Sequence, residues 1–247
     1  MFGAMFSNMT NVVKNLLIIN LLFFLGKAVA SSRGIDLSVI LGLHYFDSPN
    51  FRPYQIATHF FMHGDLMHIF FNMFSLVMLG SHLERVWGSK RFLIFYFVTA
   101  LGAAALHQGV LAIEIYNATG TLTPISDGLV ECQPGIMGMN CQYSAILTEA
   151  QFHHAVSAYT NVVGASGAIY GLLMAFAMLF PNTEFMLLFP PIPIKAKWFA
   201  LILGLIALYS GYQNSASDSV AHFAHLGGML FGFIMIKIWQ RDKTNFY

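Results

Sequence analysis

Six apolar runs, separated by polar intervals, set the pattern of this 247-residue chain. They cover approximately residues 12–30, 66–82, 92–108, 164–180, 197–211 and 220–239. Most come near the length that an α-helix needs to cross a hydrocarbon core of roughly 30 Å at roughly 1.5 Å per residue. The pattern predicts an all-α membrane protein, a bundle of six transmembrane helices. Six spans leave no room for a second folded unit, so residues 1–247 read as one membrane domain. No internal repeat is evident, which argues against an inverted-repeat transporter.

The intervals carry their own signals. Lys14 and Lys27 stand near the two ends of the first run, where both can snorkel to the interfaces. That run lacks an obvious small-residue cleavage site and is read as a retained span. Residues 31–58 are broken by Pro49 and Pro53 and hold scattered apolar residues such as Leu41, Tyr45 and Phe51. They predict a structured segment lying at the membrane interface. The longest interval runs from Gly109 to about Asn161, with Glu114, Asp127, Glu131 and Glu149 and no Lys or Arg. The fifth run, Trp198 to Tyr209, is short, precedes the polar stretch Ser210 to Ser219, and has few polar groups to lock it to neighbours. It is expected to be able to tilt aside from the bundle.

Composition sharpens this picture. The chain is 57% hydrophobic and only 9% charged, against about 25% charged in a soluble domain. No Lys/Arg-rich tract suggests a nucleic-acid partner. Arg85, Lys90 and Arg91, then Lys195 and Lys197, then Lys237, Arg241 and Lys243 all fall on the side of the termini. By the positive-inside rule both termini are cytoplasmic, and the long third loop and the starts of spans two, four and six face outward. A bacterial inner membrane is the expected location. Cys132 and Cys141 both fall in the external loop. An oxidising compartment favours a disulfide between them, and two free thiols are the alternative.

Polar groups inside apolar spans are costly and call for explanation. Ser166 sits in Gly164-Ala165-Ser166-Gly167 at the mouth of span four, where the glycines allow close approach and the helix start favours developing negative charge. His68 and Asn72 share one face of span two, and His222 and His225 share one face of span six. A serine, a histidine and further hydrogen-bond donors at one depth are the parts of nucleophilic acyl transfer. Spans four and six hold no Asp or Glu to complete a triad, so the site reads as a Ser-His dyad, with Tyr170 placed to pack against the ring. Other readings stand beside this one. Gly167 and Gly171 form a small-xxx-small packing pair, and Asn72 and His222 can bond helices together. His63, His68, His222 and His225 are all conceivable zinc ligands, although no H-E-x-x-H pattern is present and no metal or other cofactor is expected.

These residues resemble those of the rhomboid intramembrane serine proteases. His63 to Asn72 (HGDLMHIFFN) looks like that family's H-x-x-x-x-H-x-x-x-N, Gly164 to Gly167 like its G-x-S-G, and Ala224 to Gly232 (AHLGGMLFG) like its A-H-x-x-G-x-x-x-G. The resemblance implies a rhomboid-like fold with an interfacial first loop, and an endopeptidase that cuts single-span or multi-span membrane proteins near the outer face of the lipid bilayer. It implies Ser166 as nucleophile, His225 as general base, and His68, Asn72 and the Ser166 N–H as the oxyanion hole. His222 supports the bundle, Tyr170 stacks on the catalytic ring, and Gly228 and Gly232 bring span six close to span four. Glu84 and Arg85, in Glu-Arg-Val-Trp-Gly, are assigned to packing. Tyr54-Gln55 replaces the Trp-Arg of many members, which puts the anchoring of the first loop in question, and the third loop is longer than in many members. The resemblance fixes no oligomeric state. A non-catalytic relative that binds membrane clients is the alternative, although such proteins lack the serine or the histidine.

Overall fold

A computed structural model describes residues 9–135, 138–144, 146–186, 191–213 and 221–241. Each expected apolar run overlaps a helix, with shifted ends. The helices, in chain order, are α1 (Asn11–Ser31), α2 (Leu37–Leu41), α3 (Gln55–Thr58), α4 (Leu66–Ser75), α5 (Ser81–Trp87), α6 (Ser89–Thr119), α7 (Glu149–Val156), α8 (Ser166–Leu179), α9 (Ala196–Gln213) and α10 (His222–Arg241). A π turn, Leu76–Gly80, joins α4 to α5 without a break, so the second span reaches Trp87 rather than ending near residue 82. Among the described residues, α1, the Leu66–Trp87 helix, α6 and α10 are long and apolar enough to cross a membrane, and α8 is a shorter apolar helix. The last expected span was drawn from residue 220, which lies outside the described residues, as do the tail beyond Arg241 and most of the polar stretch after α9.

An all-α description needs correction. Three short antiparallel ladders join β1 (Leu43–His44) to β4 (Asn161–Val162), β2 (Val130–Gly135) to β3 (Gly138–Tyr143), and β5 (Glu184–Met186) to β6 (Pro193–Lys195). The third loop changes most. Residues 109–119, expected as its start, continue α6, because Leu111 and Ile115 bury against Tyr45 of the first loop. Beyond Gly120, which ends α6 at φ 78°, the chain folds on itself. Val130, Leu147, Ala155 and Tyr159 form a small core there, and a Cys132–Cys141 disulfide joins directly opposed residues of β2 and β3. Thr148 and Gln151 cap α7 reciprocally.

The first loop is anchored despite its departure from Trp-Arg. Gln55 is fully buried and donates to the carbonyls of Ile40 at 3.1 Å and Asn50 at 2.9 Å, while its carbonyl accepts the Arg52 N–H at 3.1 Å. Asp47 accepts the backbone N–H of Ile125 at 2.7 Å, tying the first loop to the third. Burial, with the Asp47 charge added, pushes the Tyr45 hydroxyl up to about 12, so it stays a donor to the Leu122 carbonyl at 3.0 Å.

The main core lies between the long helices, around Leu16, Leu76, Leu83, Phe92, Phe95 and Leu172. On the side of the chain's beginning, Glu84 accepts the Val12 and Val13 N–H groups at 3.1 Å each and the Thr10 and Ser89 hydroxyls. The two N–H groups are orphan donors of the first turn of α1, and a carboxylate satisfies them while opposing the positive end of the helix dipole. Packing is thus the role Glu84 plays.

Candidate active site

Helices α6, α8 and α10 meet so closely that only glycine fits at several contacts. A Cβ at Gly228 would stand 1.9 Å from the Gly167 carbonyl oxygen, and one at Gly232 would stand 2.9 Å from that of Gly171. The other sides of Gly167 and Gly171 face Ala103 and Thr99 of α6. Such a seam lets backbones approach and fixes the axial register of α8 on α10.

That register brings two side chains together. The Oγ of Ser166, first residue of α8, lies 2.8 Å from Nε2 of His225, in the first turn of α10. The ring of Tyr170, one turn beyond Ser166, stacks on the His225 ring with centroids 4.1 Å apart and planes 5° from parallel. His222 meets His225 edge to face, with centroids 6.2 Å apart. The imidazole is held by contacts with the serine, the phenol ring and its neighbour on the same helix. In this arrangement a hydroxyl can donate to an unprotonated ring nitrogen, the starting geometry for general-base activation.

The turn before Ser166 is bound to the first loop. Gly164 has φ 124°, outside the range that side-chain-bearing residues favour, and its N–H donates to the His59 carbonyl at 2.9 Å. Just upstream, β4 pairs with β1, Leu43 opposite Val162 and His44 opposite Asn161. A Cβ at Gly164 would stand 2.7 Å from Nε2 of His68. His68 is thus directed at the serine turn. Asp65 caps α4 by accepting the His68 N–H at 2.9 Å, and these backbone bonds hold the Asp65 carboxyl below its usual range. Asn72 is buried, and its side-chain amide donates to the His68 carbonyl at 2.8 Å, which uses one of its two protons. A narrow cavity lined by His59, Phe60, Ala103 and Gly164 reaches Ser166.

His59 escapes the sequence reading, and His63 and Lys27 take partners that it did not assign. His59 is 4% exposed and its Nδ1 bonds the Gln55 carbonyl at 2.8 Å; burial pushes its pKa down to about 4. His63 is fully buried and packs edge to face on His68, centroids 5.0 Å apart; burial, then the neighbouring His68, bring it to about 4. Lys27, expected to snorkel, instead donates to the carbonyls of His63 and Gly64. The one signal for it in the sequence is a charge just inside the end of an apolar run. Among the described residues no three His, Cys, Asp or Glu side chains converge as a metal-binding cluster. The four histidines of the zinc reading pair off, His63 with His68 and His222 with His225.

Comparison with known proteins gives this geometry a context. A rhomboid-domain family profile matches residues 50–126 and 128–241. Rhomboid-like protein 15 of Arabidopsis thaliana is 28% identical over 184 residues, covering 74% of this chain and 36% of its own length. An uncharacterized mitochondrial rhomboid protein of Schizosaccharomyces pombe is 28% identical over 214 residues, covering 77% of this chain and 52% of its own. Rhomboid-like protease 3 of Toxoplasma gondii is 30% identical over 64 residues, 26% of this chain and 24% of its own length. The chain therefore spans about a third to a half of the first two relatives.

Proposed function

The chain belongs to the rhomboid family, and on that premise we propose that it is an intramembrane serine endopeptidase working through a Ser166–His225 dyad. The observation that carries the reading is the 2.8 Å approach of Ser166 Oγ to His225 Nε2 beneath a stacked Tyr170. In the proposed reaction Oγ bonds to the scissile carbonyl carbon while its proton passes to Nε2. The carbonyl oxygen becomes an oxyanion, held by donors from His68, Asn72 and the Ser166 N–H. The C–N bond then breaks, and Nε2 returns the proton to the leaving amine. Water attacks the resulting ester with His225 again taking the proton, which frees the acid and restores the serine hydroxyl.

Six spans with both termini cytoplasmic would put this site towards the outer face, within reach of single-span and multi-span substrates in the bilayer. A transmembrane helix hides its carbonyls in its own hydrogen bonds, so a substrate unwinds locally before attack, and Gly or Pro near the cut lowers that cost. We propose entry beside α9, whose buried residues are only Ala196, Ala200, Ala207 and Gly211. The relatives named above are eukaryotic and one is mitochondrial by name, so they lend no support to a bacterial inner membrane.

Detergent-purified protein mixed with a panel of single-span substrates tests the reading, with cuts located by mass spectrometry. Wild type should cleave and a folded Ser166→Ala should not. Cleavage that survives Ser166→Ala, or is lost to a chelator, would overturn the dyad. A folded wild type that binds the substrates and cuts none would favour a client-binding relative.

A further inference from the structure

We infer that Lys27 is a positioning residue for His68, acting through the peptide group that fixes which ring nitrogen of His68 carries the proton. The inference rests on the acyl-transfer reading above, in which His68 donates to the oxyanion.

A lysine within an apolar helix is costly to desolvate, and its flexible stem ordinarily carries the ammonium to water. Lys27 lies one turn before the end of α1, half-buried, and its Nζ donates to the His63 carbonyl at 2.9 Å and the Gly64 carbonyl at 2.6 Å. These carbonyls belong to the turn that enters α4. The His63 carbonyl and the Gly64 N–H are two ends of one peptide unit. That N–H in turn donates to Nδ1 of His68 over a long 3.4 Å.

A neutral imidazole whose Nδ1 accepts carries its proton on Nε2. Nε2 is the atom that a Cβ at Gly164, two residues before Ser166, would meet at 2.7 Å. Ammonium, peptide and ring therefore form a chain of donors that runs in one direction and ends at Nε2–H. A cation on the His63 oxygen withdraws electron density from the peptide and makes the Gly64 N–H a stronger donor, and such chains strengthen each bond by about 10–30%. The stronger the bond at Nδ1, the more firmly the ring keeps Nε2–H facing the place where negative charge develops. Asp65 completes the arrangement by fixing the first turn of α4 through the His68 N–H.

A simple staple between α1 and the turn would make the same two hydrogen bonds but would leave the ring tautomer unmoved. The test uses the full chain in detergent micelles with 15N-labelled histidine, the His68 signals being assigned against a His68→Asn protein. Wild type should show His68 as a single tautomer protonated at Nε2. Lys27→Met should show a mixture or the other tautomer, with kcat reduced about 10-fold and KM changed less than about 2-fold, a smaller loss than for a direct oxyanion donor. Lys27→Arg, which keeps charge and donors, should restore both readings. If Lys27→Met does not fold, Lys27→Gln carries the same comparison, since it keeps an amide donor without the charge. A folded uncharged variant with the wild-type tautomer would overturn the inference, as would failure of arginine to restore it. The spectra are read without substrate, so a wild type that cleaves nothing would defeat the protease reading while leaving the ring's tautomer to decide the role of Lys27.

Discussion

Two helices flank α10 on opposite terms. Against α8 it packs backbone on backbone, through Gly228 on Gly167 and Gly232 on Gly171. Against α9 it meets flexible side chains. A Cβ at Gly204 of α9 would stand 3.3 Å from the terminal methyl of Met229, and much of α9 is exposed, Leu205 at 56% and Tyr209 at 64%. The first contact has no slack, and the two halves of the proposed dyad ride on it: Ser166 precedes Gly167, and His225 stands one turn before Gly228. The second contact can move without disturbing that distance. On the proposed reading, a site that holds two atoms near 2.8 Å while admitting a substrate helix needs one neighbour of each kind.

The contrast can be broken at three levels. The largest effect should come from Gly228→Leu. Its Cβ alone would overlap the Gly167 carbonyl, and neither backbone can yield without separating α8 from α10. We expect no folded protein, read as loss of cooperative unfolding in detergent; a folded, active Gly228→Leu would show that the seam does not set the site. Acid should act next. His59 and His63 are neutral in the fold with pKa values near 4, against 6.5 in an unfolded chain. Between those values the unfolded chain binds protons that the fold refuses, so stability is full above about pH 6.5 and falls as the pH is lowered towards 4. The loss should approach about 3 kcal/mol for each ring. Unfolding measured from pH 7 to pH 4 should show that slope, and a flat profile would mean that neither ring is held neutral. The smallest effect should be that of Gly204→Ala. The Met229 methyl can shift, and alanine favours a helix over glycine by roughly 0.5–1 kcal/mol, so stability should stay within about 1 kcal/mol of wild type. A loss much larger than this would mean that α9 is locked as tightly as α8.

What could be read from the chain alone was what depends on local spacing. Apolar runs gave the helices, and glycines four apart announced the seam between α8 and α10. A serine, a histidine and a tyrosine set by motif came together as a bonded and stacked group. What depends on distant partners was hidden. Residues 109–119 look like the start of a polar loop, and they become helix only because Tyr45, far away in sequence, covers Leu111 and Ile115. The third loop reads as an acidic interval with a cysteine pair, yet four scattered apolar residues give it a core. Lys27 has the composition of an anchor in water, and its two carbonyl partners lie in a turn that no spacing rule connects to it.

The π turn at Leu76–Gly80 has a consequence for chain length. Such a turn holds one more residue than an α turn, so the path from Asn72 to Glu84 carries a surplus residue. In a regular helix every insertion or deletion rotates all that follows by about 100°. A deletion elsewhere between His68 and Glu84 would swing Glu84 away from the first turn of α1, or carry Asn72 off the face it shares with His68. Taken from within 76–80, the same deletion lets the turn close as ordinary helix, with both ends still in phase. This short segment is where the helix can lose a residue and keep its two faces, one towards the serine turn and one towards the beginning of the chain.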